Sequence, residues 1–189
     1  MESNAYFQKV KGLYPEDLSS INEIVDVLLT CIRNRSSIWI IGNGGSASTA
    51  DHFEVDLSYV RLNNRSHLIK AKSLCSNSAI ITAIGNDIGF EKIFSHQLLR
   101  NAEEGDVCIA ISASGNSLNL VQAFKECKAR KIVTIGLLGF DGGALKNLAD
   151  ISCLLSSDLG LYGPIEDVHL SICHFIADQL KKLIFEEQK

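Results

Sequence analysis

The stretch "IWIIGNGGSASTADHFEVDL", Ile38 to Leu57, opens on an apolar run, breaks at glycine and serine, and continues as an amphipathic segment from about Ala47. A short apolar run closed by Gly/Ser punctuation reads as a buried strand, and the segment after it as a helix. The same unit recurs downstream. "SHLIKAKSL" predicts a strand, followed by helical "NSAIITAIGND" and "FEKIFSHQLLRNAEE". "DVCIAIS" is a strand before helical "LNLVQAFKECKAR", and "KIVTIGLLG" a strand before "ALKNLAD". "ISCLLS" makes a fifth strand, and "PIEDVHLSICHFIADQLKKLIFEE" a closing helix over about 165–186. Upstream, Ile21, Ile24, Val25, Leu28, Leu29 and Ile32 share one helix face, predicting a helix over about 16–35 with Pro15, Glu16 and Asp17 at its start. Strands alternating with helices imply right-handed crossovers and a parallel sheet covered on both faces. The expected fold is α/β: one domain over residues 1–189, a doubly wound three-layer αβα sandwich on a five-stranded parallel sheet.

The chain has 189 residues, 46% apolar, with a formal net charge of −4. That length suits one sizeable core, and that charge argues against a nucleic-acid partner. No run approaches the ~20 apolar residues of a membrane span, and "MESNAYFQKV" does not read as a secretion signal. Six cysteines occur, never as CxxC, and Cys31, Cys108, Cys153 and Cys173 lie inside apolar runs, which reads as buried free thiols in a cytoplasmic protein. Between Ser171 and Asp178 the closing helix has almost no polar side except His174. A helix apolar nearly all round needs cover on more than one side, so a homo-oligomer is expected.

Every Gly/Ser loop follows a strand, where ligands bind in such sheets. The first, Gly42-Asn43-Gly44-Gly45-Ser46-Ala47, formally fits a dinucleotide fingerprint, but no Asp or Glu occurs from Leu57 through Asn86 to hold a ribose. An NADP variant would have to draw on Arg61, Arg65, Lys70 or Lys72, and no Walker A motif is present. The second loop, "ISASGNS" (Ile111 to Ser117), opens a helix with Ser112, Ser114, Asn116 and Ser117 around Gly115. Capping a helix takes one such residue, so four point to an anion held by hydroxyls and free N–H groups without a cation. A third loop, "GFDGG", reads as a turn. His52 and Asp56 stand at i and i+4, a spacing that places imidazole and carboxylate on one metal or makes an acid/base pair.

Four ordered motifs, "GNGGSxxxAxHF", "GND.GFE..FS.QL", "GDV..AIS.SGNS" and "GL.G.DGG", together resemble the sugar isomerase (SIS) domain, most closely its sedoheptulose 7-phosphate (phosphoheptose) isomerase family. The resemblance implies an aldose–ketose isomerase that turns sedoheptulose 7-phosphate into a heptose 7-phosphate through an ene-diol, supplying surface polysaccharide. Other readings are isomerisation of another sugar phosphate, or a non-catalytic SIS module that binds one. It implies that the serine loops, with Asn43, Gly44, Ser46, Ser112, Ser114, Asn116 and Ser117, hold the sugar phosphate, and that Asp87 lies near the sugar.

It further implies a divalent metal, zinc in the family, on His52, Asp56, Glu166 and His174, with Asp56 and His174 moving the proton and Glu166 also touching substrate. Asp56 stands in for a family Glu and Glu166 for a Gln. Glu166 and His174 are eight apart, about 12 Å along a helix, so they share an ion only if the helix start is frayed or two subunits contribute. "SSDLGLYGPIEDVHL" lacks the family's arginine and carries Tyr162 and Gly163, which changes the pocket wall. Family members are typically homotetramers with sites at subunit interfaces.

Overall fold

The computed structural model describes residues 3–58 and 69–186. Eight α-helices are described: α1 (Ser3–Leu13), α2 (Ser19–Arg33), α3 (Gly45–Ser58), α4 (Ser78–Asp87), α5 (Ser95–Asn101), α6 (Leu118–Ala129), α7 (Gly143–Leu148) and α8 (Tyr162–Glu186). Five strands run between them: β1 (Ser37–Gly42), β2 (Lys70–Ser73), β3 (Val107–Ser112), β4 (Val133–Phe140) and β5 (Ile151–Ser156). They form one parallel sheet in the order β2-β1-β3-β4-β5, the doubly wound sheet expected. The strand anticipated from Ser66 is seen from Lys70; its residues before Ile69, like Arg61 and Arg65, lie outside the described residues.

Side chains alternate between the two faces of the sheet, as strand geometry requires. Ile38 and Ile40 of β1, Val107, Ile109 and Ile111 of β3, and Ile135 and Leu137 of β4 enter a core shared with α2, α3 and α8. Ile41, Cys108, Ala110 and Leu138 enter the opposite core, with α4, α5, α6 and α7. Both layers bury nearly every apolar strand residue, which is why those runs read as continuously hydrophobic.

Several boundaries differ from the sequence reading, each with a physical cause. Helix α2 begins at Ser19 rather than near residue 16, because the Asp17 carboxylate accepts hydrogen bonds from the Ser19 amide and hydroxyl, at 2.8 and 2.9 Å, and so terminates the turn. The segment Phe90–Glu104 is not one helix. Gly89 at φ +135° leads into a single 3-10 turn, Phe90–Lys92, before α5. Arg130 ends α5 by donating to the carbonyls of Leu98 and Leu99.

Helix α1 was not foreseen. It is held by α8: the Tyr6 hydroxyl donates to Asp167 at 2.7 Å, and the Tyr14 hydroxyl lies 2.9 Å from Ser171. Part of the apolar girth of α8 is therefore covered within the chain, by α1, α2 and α3, rather than by a second subunit. All six cysteines are free, and five are buried, including Cys127 on the inner face of α6. Among the described residues no helix is long and apolar enough to cross a membrane.

Candidate active site

Strand order reverses between β1 and β3, where Gly42 stands beside Ile111. The crossovers leave these two strands in opposite directions, opening a crevice at their carboxyl ends. The two Gly/Ser loops meet there. A cavity of about 130 Å³ is lined by Asn43 and Ser46 from the first loop and by Ser112, Ser114 and Ser117 from the second. Tyr162 and Glu166, from the first turn of α8, complete its wall. Among the described residues no lysine or arginine lines it.

Close backbone packing builds this cavity. A side chain on Gly42 would collide with the Ser46 carbonyl, and one on Gly115, at φ +61°, with the carbonyl of Gly142. The "GFDGG" loop is thus a brace, as its reading as a turn implied. Gly115 accepts from the Leu145 amide at 3.0 Å, and Asn116 accepts from the Ala144 amide at 2.9 Å. Asp141 closes its own turn on the Gly143 amide. Ser112 accepts from the Gly115 amide at 3.0 Å. Ser117 occupies the N-cap of α6 but makes no side-chain cap bond, so its hydroxyl is not spent on the helix. The capping explanation of the serine cluster fails at that residue.

The structure does not bring every anticipated binding residue into this cavity. Asn116 is turned to α7, and Gly44, at φ +56°, borders a neighbouring cavity with Phe90, Glu91 and Leu118. Asp87 ends α4, its carboxylate accepting from Asn86 at 2.7 Å, and lines neither cavity. One contributor, Asn119, had no signal in the sequence, whereas Tyr162 was expected at the pocket wall and lies there. Asn119 exchanges amide hydrogen bonds with Asn43 at 2.9 Å, locking one loop to the other, and Tyr162 is brought in by the entry angle of α8.

Farther along α3, the i, i+4 pair finds a third member. The Nε2 atoms of His52 and His174 are 3.1 Å apart, and Asp56 Oδ2 lies 3.6 Å from each. These three form the cluster of metal-type donors found among the described residues. Asp56 Oδ2 is buried and has no hydrogen-bond partner. A desolvated carboxylate oxygen facing two imidazoles lacks compensation unless a cation or proton supplies it. Tetrahedral zinc, with bonds of about 2.0–2.1 Å, separates its ligands by roughly 3.3 Å, so the observed spacings fit a divalent ion with a fourth position open. The cluster is able to hold a metal ion.

Glu166 is not in that cluster. Its carboxylate packs over Gly45, where any side chain would collide with it, and faces the serine cavity. Burial and, secondarily, Asp167 raise its pKa above the ordinary carboxylate value. Helix α8 is regular from Tyr162, so the eight-residue separation from His174 stands within one chain.

The SIS domain profile matches residues 4–139. The chain is 36% identical over 180 residues to the phosphoheptose isomerase of Sulfurimonas denitrificans, covering 94% of this chain and 91% of that protein. It is 35% identical over 160 residues to that of Geobacter metallireducens, covering 85% and 83%. Among solved structures, a phosphoheptose isomerase from Francisella tularensis superimposes with TM-score 0.85 at 30% identity, covering 96% of this chain and 97% of that one. The enzyme from Neisseria gonorrhoeae gives 0.82 at 29% identity, with 96% and 94% covered. This chain belongs to the SIS domain family and, within it, to the phosphoheptose isomerases.

Proposed function

We propose that the chain is an aldose–ketose isomerase converting sedoheptulose 7-phosphate into a heptose 7-phosphate, the product serving surface polysaccharide. One observation carries the reading: a serine cavity at the sheet's switch point, without a lysine or arginine among its described lining residues, shares helices α3 and α8 with the His52–Asp56–His174 cluster. Hydroxyls of Ser46, Ser112, Ser114 and Ser117 and the free N–H groups at the start of α6 hold the phosphate. The sugar then extends along α3 towards the cluster. Isomerisation moves one proton from C1 to C2 and one hydroxyl proton from O1 to O2, with no net redox change. Asp56 and His174 share that traffic, one lifting the carbon-bound proton while the other protonates oxygen.

His52, Asp56 and His174 would hold the divalent ion, zinc by donor type, while Glu166, facing the serine cavity, would contact the substrate. Bound there, the ion would polarise the sugar oxygens as a Lewis acid. Exposed Val55 and Phe175, next to Asp56 and His174 in sequence, support burial of this region in a homotetramer. Six free cysteines, five of them buried, support a cytoplasmic setting.

The test is to incubate the full chain with sedoheptulose 7-phosphate, with zinc and with chelator, and to follow aldose formation. Turnover with zinc and its loss with chelator is the expected result. Sugar-phosphate binding without turnover, zinc present, would instead establish a non-catalytic SIS module. Turnover of fructose 6-phosphate in preference would name a different sugar.

A further inference from the structure

Phe140, the last residue of β4, has φ +51°, a conformation that side-chain-bearing residues rarely adopt. Glycines stand at 142 and 143, yet the strained position is filled by an aromatic residue whose ring is buried. Strain of this kind persists where the surroundings over-determine it, and it clusters at ligand sites. The Phe140 ring meets the Tyr162 ring edge-on, with centroids 5.1 Å apart and planes at 87°. Tyr162 in turn lines the serine cavity.

The other residues of that turn cannot take over its place. A side chain on Gly163 would press on the Tyr6 hydroxyl, and Pro164 and Ile165 are buried in the core. Ser46 and Ser112 wall the cavity from inside, buried, whereas Tyr162, which also lines it, is 52% exposed. At about 130 Å³ the cavity has room for a phosphate and little beyond its first ester carbon.

We infer that Tyr162, braced by Phe140, closes the solvent side of the serine cavity and makes it selective for phosphate on a primary carbon over phosphate on a ring carbon. A –CH2–O– neck is slender enough to pass the aromatic edge; a secondary ring carbon brings two further substituents against it. Tyr162 is the specificity-determining residue and Phe140 its positioning residue. The inference rests on the sugar-phosphate reading of this cavity and adds the residues that enforce its choice of phosphate.

The test uses equilibrium binding of glucose 6-phosphate and glucose 1-phosphate to the full chain, with sedoheptulose 7-phosphate as reference and circular dichroism to verify folding. The wild type should prefer the 6-phosphate by about tenfold or more, the scale of discrimination a steric wall supplies. Tyr162→Ala should cut that preference to within about twofold, whereas Tyr162→Phe, which keeps the ring, should retain it. Phe140→Ala should lower the preference in the same direction, with Phe140→Tyr restoring it. Equal binding of both sugars by the wild type, or an unchanged preference in folded Tyr162→Ala, overturns the inference and leaves the isomerase reading standing. A wild type that binds none of the three removes the phosphate cavity itself, and the inference with it.

Discussion

Asp56 carries more of the proposed chemistry than any other single residue. Its Oδ2 is buried without a hydrogen bond and lies 3.6 Å from two imidazoles, so its charge is held in place by nothing but its neighbours on α3 and α8. Replacing it with Asn keeps shape and polarity and removes the ability to take a proton. Asp56→Asn should therefore lower turnover of sedoheptulose 7-phosphate by at least about 100-fold, the lower end of what acid–base groups contribute. Binding measured by calorimetry should change little, because the proposed phosphate site is the serine cavity farther up the crevice. Undiminished turnover would remove Asp56 from the mechanism. Glu166 shows the complementary point. It was assigned to the metal by likeness alone, yet its carboxyl lies over Gly45 in the serine cavity, a placement fixed by how α8 meets α3.

At the level of elements, α8 joins the core to the site. Its residue His169 is fully buried, and neither ring nitrogen makes a hydrogen bond. Burial pushes its pKa down to about 4, only partly opposed by the nearby Leu138 backbone. The folded chain thus keeps the ring neutral, whereas the unfolded chain takes up a proton below its ordinary value of 6.5. Stability from this group is complete above about pH 6.5 and is lost as pH falls towards 4, by about 3 kcal/mol in all. Urea unfolding at pH 7, 5.5 and 4 should show this loss in the wild type and a flatter acid limb in His169→Leu; parallel pH profiles would refute it. This helix also shows what can be read from sequence. The strand runs and the i, i+4 pair His52–Asp56 are local patterns and were legible. Helix α1 was not, since its hold comes from Tyr6 and Tyr14 reaching Asp167 and Ser171, more than 150 residues away in sequence. The break at Gly89 and the stop supplied by Arg130 are likewise set by tertiary contacts that no short window contains.

For the molecule as a whole, topology places the serine cavity and the histidine cluster, the proposed seats of phosphate and proton chemistry, on one face. The reversal between β1 and β3 brings the serine loops together, and α3 and α8, packed side by side on the same core, extend from them to the histidine cluster. That region is left partly uncovered. Val55 is 60% exposed and Phe175 36% exposed, each adjacent in sequence to a cluster residue. Helix α4, rich in alanine and isoleucine, buries only Ile84. Apolar surface of this kind around a polar site is typical of faces that another chain covers, and α1 covers only part of α8. Light scattering on the purified chain should accordingly give the mass of four chains. Phe175→Asp, which forces a carboxylate into the covered face, should shift the population to smaller species at micromolar concentration. Turnover should fall in step with the tetramer fraction, since the His52–Asp56–His174 cluster adjoins the face that a neighbouring subunit would cover. A single-chain mass for the fully active wild type would show that one chain is sufficient and that no neighbour need cover this face.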